Sequence, residues 1–247
     1  MNIVEKINRS RYNLKEILSN EWDTDIIHDL SDQEIEKMYT IQSSNSHFPG
    51  VAAGCNLKLQ HRFIPGHSLH IIYYNFPEVG RLSSKVTKSA CDKLYDFYNN
   101  ENVKKEDSLF IIINDTISES LSTSFDNLNI KLQNDFEEGI SKDILDEMKE
   151  NDFYLEQKHF RNVHLFGIDS FTNNLLKHRL VPEHIPIRSN KEVEKILKEC
   201  NCNKSQLPII LKNDIVSRLI RLANGDICKI LRTSDKCGEY PFYRICR

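Results

Sequence analysis

Two short stretches, LHIIYYNF at 69–76 and SLFIIIN at 108–114, are almost continuously apolar and rich in β-branched and aromatic residues. A strand with one face in water alternates polar and apolar side chains, so a run without alternation belongs to a strand covered on both faces. Between them KVTKSACDKLYDFY (85–98) fits a helix. Strand, helix and strand in that order build the crossover unit of a parallel sheet, and VHLFGI (163–168) predicts one more short strand. Such a sheet needs helices on its faces. Ile3, Ile7, Leu14, Ile17 and Leu18 mark one over 3–19, and Ser31-Asp32-Gln33-Glu34 has the form of a capping box opening a second. Apolar recurrences at three- and four-residue steps predict further helix over 118–132 and 135–150. Residues 42–67, rich in Ser, Asn, Gly, Pro and His, are expected to form an irregular connection or an insertion.

Beyond residue 178 the pattern changes. Ser189-Asn190-Lys191-Glu192 is another capping-box sequence, leading into an apolar stripe of Val193, Ile196, Leu197 and Cys200. Asp214 can cap a short helix carrying Ile215, Val216, Leu219 and Ile220. Asn224-Gly225 is a turn, DICKILR (226–232) a strand, SDKCGEY a second turn and PFYRICR a last strand, with Pro241 expected at its start or on a sheet edge. Residues 178–247 therefore read as two helices followed by a hairpin, and the boundary with the preceding body falls near 170–178.

Charge divides at the same place. Residues 1–177 carry 19 Lys and Arg against 28 Asp and Glu, whereas 178–247 carry 14 against 8. A basic tail on an acidic body points to contact with nucleic acid or an acidic protein surface. The acidic stretch 135–156 fits a solvated helix face. No run approaches the ~18 apolar residues a membrane helix needs, and the amphipathic N-terminus lacks a signal peptide's apolar core, so a soluble intracellular protein is expected. Seven cysteines without a C-x-x-C pair predict free thiols and no zinc. No glycine-rich phosphate loop is present and no cofactor is expected.

The stretch HRLVPEHIPI (178–187) concentrates two histidines and a glutamate. A metal site on a helix needs H-E-x-x-H spacing, whereas His178 and His184 stand six apart across a proline that disfavours helix at Val181. Glu183 beside His184 lacks a nucleophile or a second carboxylate at a telling spacing. Pro182 and Pro186 instead fix an extended segment, with Leu180, Val181, Ile185 and Ile187 supplying apolar contacts.

With HRLVPEH (178–184) followed in order by KSQLPII (204–210), NDIVSRL (213–219) and NGDICKILRTSDKCGEYPFYR (224–244), the tail resembles the small subunit shared by eukaryotic RNA polymerases I, II and III and its shorter archaeal counterpart. Gly238, Tyr240, Tyr243 and Arg244 keep the family's Gly-x-Tyr-x-x-Tyr-Arg strand, while Thr233 stands where the family has a turn proline. The body looks like the jaw domain that eukaryotic members add: Arg9-Ser10-Arg11, LHIIYYNFPEVG (69–80) and LFIIINDTISESL (109–121) resemble its opening, a strand with its turn, and a second strand with the loop that approaches downstream DNA.

The resemblance implies an α/β jaw domain of the restriction-endonuclease type over 1–170, with helices around a small mixed sheet, and a small α+β assembly domain over 171–247. Nucleases of that fold need a carboxylate and Glu-x-Lys on neighbouring strands, and neither core strand holds an acid or a lysine. No enzymatic activity is expected. The implied function is that of a non-catalytic subunit of a DNA-dependent RNA polymerase, docked on the largest subunit and forming part of the lower jaw. Leu180, Val181, Pro182, Glu183, His184, Arg218, Arg221, Arg232, Tyr243 and Arg244 are the expected partner-binding residues. Asn114, Thr116 and Ser118 are expected near downstream duplex DNA, contacted weakly and without sequence readout; Glu119 beside them would repel phosphate by roughly 1 kcal/mol at close range in water. The expected location is the nucleus for a cellular protein, or the virion or host cytoplasm and nucleus for a viral one. A free-standing nucleic-acid-binding adaptor built on the same module is the alternative; the acidic body disfavours it, because non-specific DNA affinity rests on phosphate neutralisation.

Overall fold

The computed structural model describes residues 2–40, 50–78, 81, 85–98, 103–137, 139–234, 236 and 238–247. Helix α1 (Ile3–Leu18) starts where the Asn2 side chain accepts the Val4 and Glu5 N–H groups. Helix α2 (Asp32–Thr40) opens on the expected box: the Glu34 carboxylate accepts the Ser31 N–H at 2.8 Å, and Ser31 Oγ accepts the Glu34 N–H. Strands β1 (Leu57–Gln60), β2 (Ser68–Tyr74), β3 (Ser108–Ile113) and β4 (Val163–Gly167) form one sheet in that order, with β1 antiparallel to β2 and the other pairs parallel. Between the strands run α3 (Ser89–Phe97), α4 (Glu119–Asn134) and α5 (Lys142–Glu150).

The lack of alternation in the two apolar runs is explained by a layer on each side. Ile71, Tyr73, Phe110 and Ile112 face the cluster built with Ile7, Leu14, Ile35 and Tyr39 of α1 and α2. Ile72, Leu109, Ile111 and Ile113 face the opposite cluster, with Leu94 of α3 and Leu121, Phe125 and Leu128 of α4. Residues 42–67 are not simply irregular: 41–49 lie outside the described residues, but β1 follows, and Ile64, His61 and His67 are buried. Leu57 and Leu59 are the only apolar pair in β1 and give too short an alternation to reveal a strand. Helix also covers less of 135–150 than expected, because the chain turns at Asp135 before α5 begins.

The tail contains more strand than a hairpin. Strand β5 (Glu183–Pro186) is followed by α6 (Asn190–Glu199), the two-residue strand β6 (Ile209–Ile210), α7 (Ile215–Leu219), β7 (Ile227–Ser234) and β8 (Gly238–Cys246). The sheet order is β5-β7-β8-β6. Asp214 caps α7 through the Val216 N–H at 2.8 Å as expected. Ser189 forms no side-chain cap on α6, so that box is absent, and Cys200 ends the helix exposed rather than extending its apolar stripe. Pro241 pairs with Leu231 where β8 has no neighbour on its other side, so it lies on an edge. Part of the SDKCGEY turn lies outside the described residues. Among the described residues no helix is long and apolar enough to cross a membrane.

Candidate assembly and nucleic-acid surfaces

Tail and body meet through a buried charge cluster. Glu21 lies just past α1, His159 just before β4, Arg188 just past β5 and Asp226 just before β7. The Arg188 guanidinium donates to Glu21 Oε1 from Nε at 2.9 Å and to Asp226 Oδ2 from Nη1 at 2.9 Å, and its Nη2 reaches the Ile220 and Arg221 carbonyls. His159 Nδ1 accepts the Glu156 N–H at 3.0 Å, which leaves Nε2–H to donate to Asp226 Oδ2 at 2.7 Å. Burial works against ionisation of Asp226, but the His159 hydrogen bond and the His159 and Arg188 charges outweigh it and hold the carboxyl well below the usual range. Burial lowers the His159 pKa against the pull of Asp226. With every charge answered, removing one partner from such a set costs about 3–5 kcal/mol.

Arg221 belongs to the same junction and not to a partner surface. It is 5% exposed, donates from Nη2 to Ser108 Oγ at 3.2 Å and to the His159 carbonyl at 2.9 Å, and lies over the Trp22 ring at 4.9 Å. The sequence expectation fails here because a basic tail reads as solvated charge, whereas Arg221 sits at φ 55 in the turn after α7 and is directed into the body. Glu21, His159, Arg188 and Asp226 went unnoticed in the sequence, since they are scattered over the chain and share no spacing. A single signal existed: Arg188 is a lone charge at the end of the apolar run HIPI.

The VPEH segment leads into β5, the outer edge strand of the tail sheet. Leu180 is 74% exposed, Glu183 is exposed, and Val181, Pro182 and His184 are half-buried, so Leu180 makes little of the internal contact expected of it. The Ile187 N–H donates to the Ile227 carbonyl at 3.0 Å. Antiparallel alternation then turns the polar groups of residues 183 and 185 toward β7 and those of 182, 184 and 186 outward. Two of those three outward positions are prolines and lack an N–H, and the Pro182 carbonyl is already bonded to His184 Nδ1 at 2.6 Å. Only His184 offers a backbone donor, which blunts the edge against strand addition and leaves side-chain contact as its means of docking. Behind it, a cavity of about 280 Å³ is walled by Ile17, Leu176, Pro182, Pro186 and Ile220.

Of the remaining tail residues, Arg232 follows Leu231, which pairs with Glu183 of this edge. Arg232 and Arg244 both approach the Phe242 ring, at 4.2 and 5.5 Å, and Arg244 donates to the Ile209 carbonyl. Tyr243 packs against the α6 cluster. Arg218 lies over Phe166 of the body at 4.6 Å. In the body, Asn114, Thr116 and Ser118 sit beyond the C-terminal end of β3; Thr116 N–H donates to Asp115 Oδ1, and Ser118 caps α4 through the Leu121 N–H. Thr116, Ser118 and Glu119 are exposed. His178 and His184 each bond within their own turn, to the Leu180 N–H and the Pro182 carbonyl. Among the described residues no three His, Cys, Asp or Glu side chains gather as a metal site would require.

Residues 173–246 match the C-terminal domain of RNA polymerase Rpb5. The chain is similar to DNA-directed RNA polymerase subunit Rpo5 of Methanothermobacter thermautotrophicus, 42% identical over 71 residues that make up 91% of that protein. The chain belongs to the Rpb5 family. The corresponding subunit of Methanosphaera stadtmanae is also 42% identical, over 95% of its length. A Dictyostelium discoideum protein named for RNA polymerases I, II and III, subunit rpabc1, is 40% identical over 36% of its length. As an Rpb5-family member the chain is a non-catalytic subunit of a DNA-directed RNA polymerase, and its partners are the other subunits of that complex. Each of these alignments covers about 30% of this chain, leaving most of the body outside them.

Proposed function

We propose that the tail, residues 171–247, docks on the largest polymerase subunit through the Leu180–His184 edge, and that the body, residues 1–170, forms part of the lower jaw beside downstream duplex DNA. One observation carries the reading: the match spans nearly the whole archaeal protein, and within it the exposed apolar Leu180 stands in the turn just before an edge strand whose backbone is largely closed to strand pairing. The charge cluster supports a body held at one angle to the tail, so that docking the tail also orients the 114–118 loop. Thr116 and Ser118 are available to donate hydroxyl hydrogen bonds to phosphate, with Glu119 limiting the strength of that contact.

Affinity purification of the tagged chain from its native cells, washed at high salt, tests the assignment. The two largest polymerase subunits are expected in stoichiometric amounts. Pro182→Ala combined with Glu183→Ala should reduce their recovery while the circular-dichroism spectrum stays unchanged; equal recovery would refute docking through this edge.

A further inference from the structure

At the other edge of the tail sheet, α4 and β4 of the body face the segment that follows β6 and leave a groove of about 610 Å³. Arg218 forms part of its wall. The guanidinium is half-buried over Phe166, and among the described residues it has no hydrogen bond and no ion pair within the chain. Lys212 and Arg247 stand beside it, joined through the Lys212 N–H and the Arg247 carbonyl at 2.7 Å, and their side chains are likewise unpaired among the described residues. Asp126 is the one carboxylate side chain on the lining and does not come within ion-pair reach of Arg218. A cation drawn partly out of water with an aromatic face but no anion beside it gains when an anion arrives. The lips are apolar: Leu211 is 66% exposed and Ile130 59% exposed.

The rings on this lining, Phe125, His159 and His164, are buried or half-buried, so a bound nucleic acid would meet aliphatic lips rather than a ring free to stack on a base. Unpaired cations between exposed aliphatic side chains match a peptide that carries acids next to large apolar residues. We infer that this groove takes an acidic, apolar segment of a partner protein, its carboxylates on Arg218 and Lys212 and its apolar side chains against Leu211 and Ile130. The surface is separate from the β5 edge and stands whether or not that edge docks.

The test is fluorescence anisotropy on the full chain with a labelled peptide in which Asp and Glu alternate with Leu and Phe. Saturable binding is expected, weakened about tenfold by Arg218→Ala with Lys212→Ala, comparably by Ile130→Ser, and tightened by Asp126→Asn. Urea midpoints are measured alongside. Should Arg218→Ala shift the midpoint, Lys212→Glu and Ile130→Ser, both at exposed positions, decide the matter. Absence of binding, binding indifferent to these changes, or equal competition by a single-stranded oligodeoxynucleotide of the same charge would overturn the proposal.

Discussion

In the body, β2 and β3 are buried almost throughout, with α1 and α2 over one face and α3 and α4 over the other. In the tail, the edge strands span four and two residues, the first half of β8 is exposed, and two small clusters around Ile196 and Ile230 provide the core. A sheet enclosed on both faces holds itself together by apolar area. The tail has less of it, and leans on the body instead: Leu219 of α7 is part of the body's core, and the Arg188 cluster ties the two sheets together. The lesson is that a small module matching an archaeal protein over nearly its full length has here given part of its surface to an intramolecular partner.

The sharpest way to break this comparison is Arg188→Met. Glu21 and Asp226 would be left buried without their cation, and a loss of about 3–5 kcal/mol in urea-unfolding stability is expected. If the tail stood alone energetically, the loss would appear as early melting of the tail with the body's transition unmoved. A single cooperative shift is the expected result.

Acid probes the body beside that junction, where the charges of Glu21, Arg188 and Arg221 act on His61. Burial holds the His61 pKa down to about 3, and His67 is pushed in the same direction. The unfolded chain takes up protons as pH falls below about 6.5, whereas these folded side chains refuse them. Stability is therefore complete above that pH and declines below it, by roughly 2 kcal/mol for His61 between pH 6.5 and 5. Urea midpoints across this range should fall, and His67→Phe should flatten the slope.

Two smaller changes sharpen the contrast. Ser118→Ala removes the cap of the 16-residue α4 and should cost the body about 1 kcal/mol, read by urea unfolding. Leu180→Ser, at a position 74% exposed, should move stability by less than about 0.5 kcal/mol while lowering recovery of the largest polymerase subunits. A large stability change there would place Leu180 in the fold rather than at an interface.

The architecture was legible wherever one periodicity or one cap dominated. Unbroken apolar runs gave β2 and β3, the capping box gave the start of α2, and Asp214 gave the start of α7. Strand β1 escaped because its apolar pair, Leu57 and Leu59, repeats too few times, and β5 and β6 escaped because two to four residues carry no period at all. Ser189 had the right neighbours for a cap but forms no side-chain bond to its helix, which shows that a short motif needs the local backbone to cooperate. Among the tail residues singled out, Leu180 and Glu183 lie on the surface, whereas Arg221 is spent inside. Sequence cannot separate these cases, because a guanidinium facing water and one facing a buried carbonyl are written with the same letter. The junction was invisible for a related reason: its groups are scattered over the chain, and the Arg188–Glu21 ion pair alone joins residues 167 apart.

That separation has a consequence for how the protein is made. Synthesis delivers Glu21 and His159 long before Asp226, which emerges only with the last strand pair. Until then Arg188 has one carboxylate instead of two, and His159 lacks its acceptor. A chain that stops before β7 therefore lacks the carboxylate shared by Arg188 and His159. Synthesis past Asp226 is thereby a condition for tail and body to be joined as they are here.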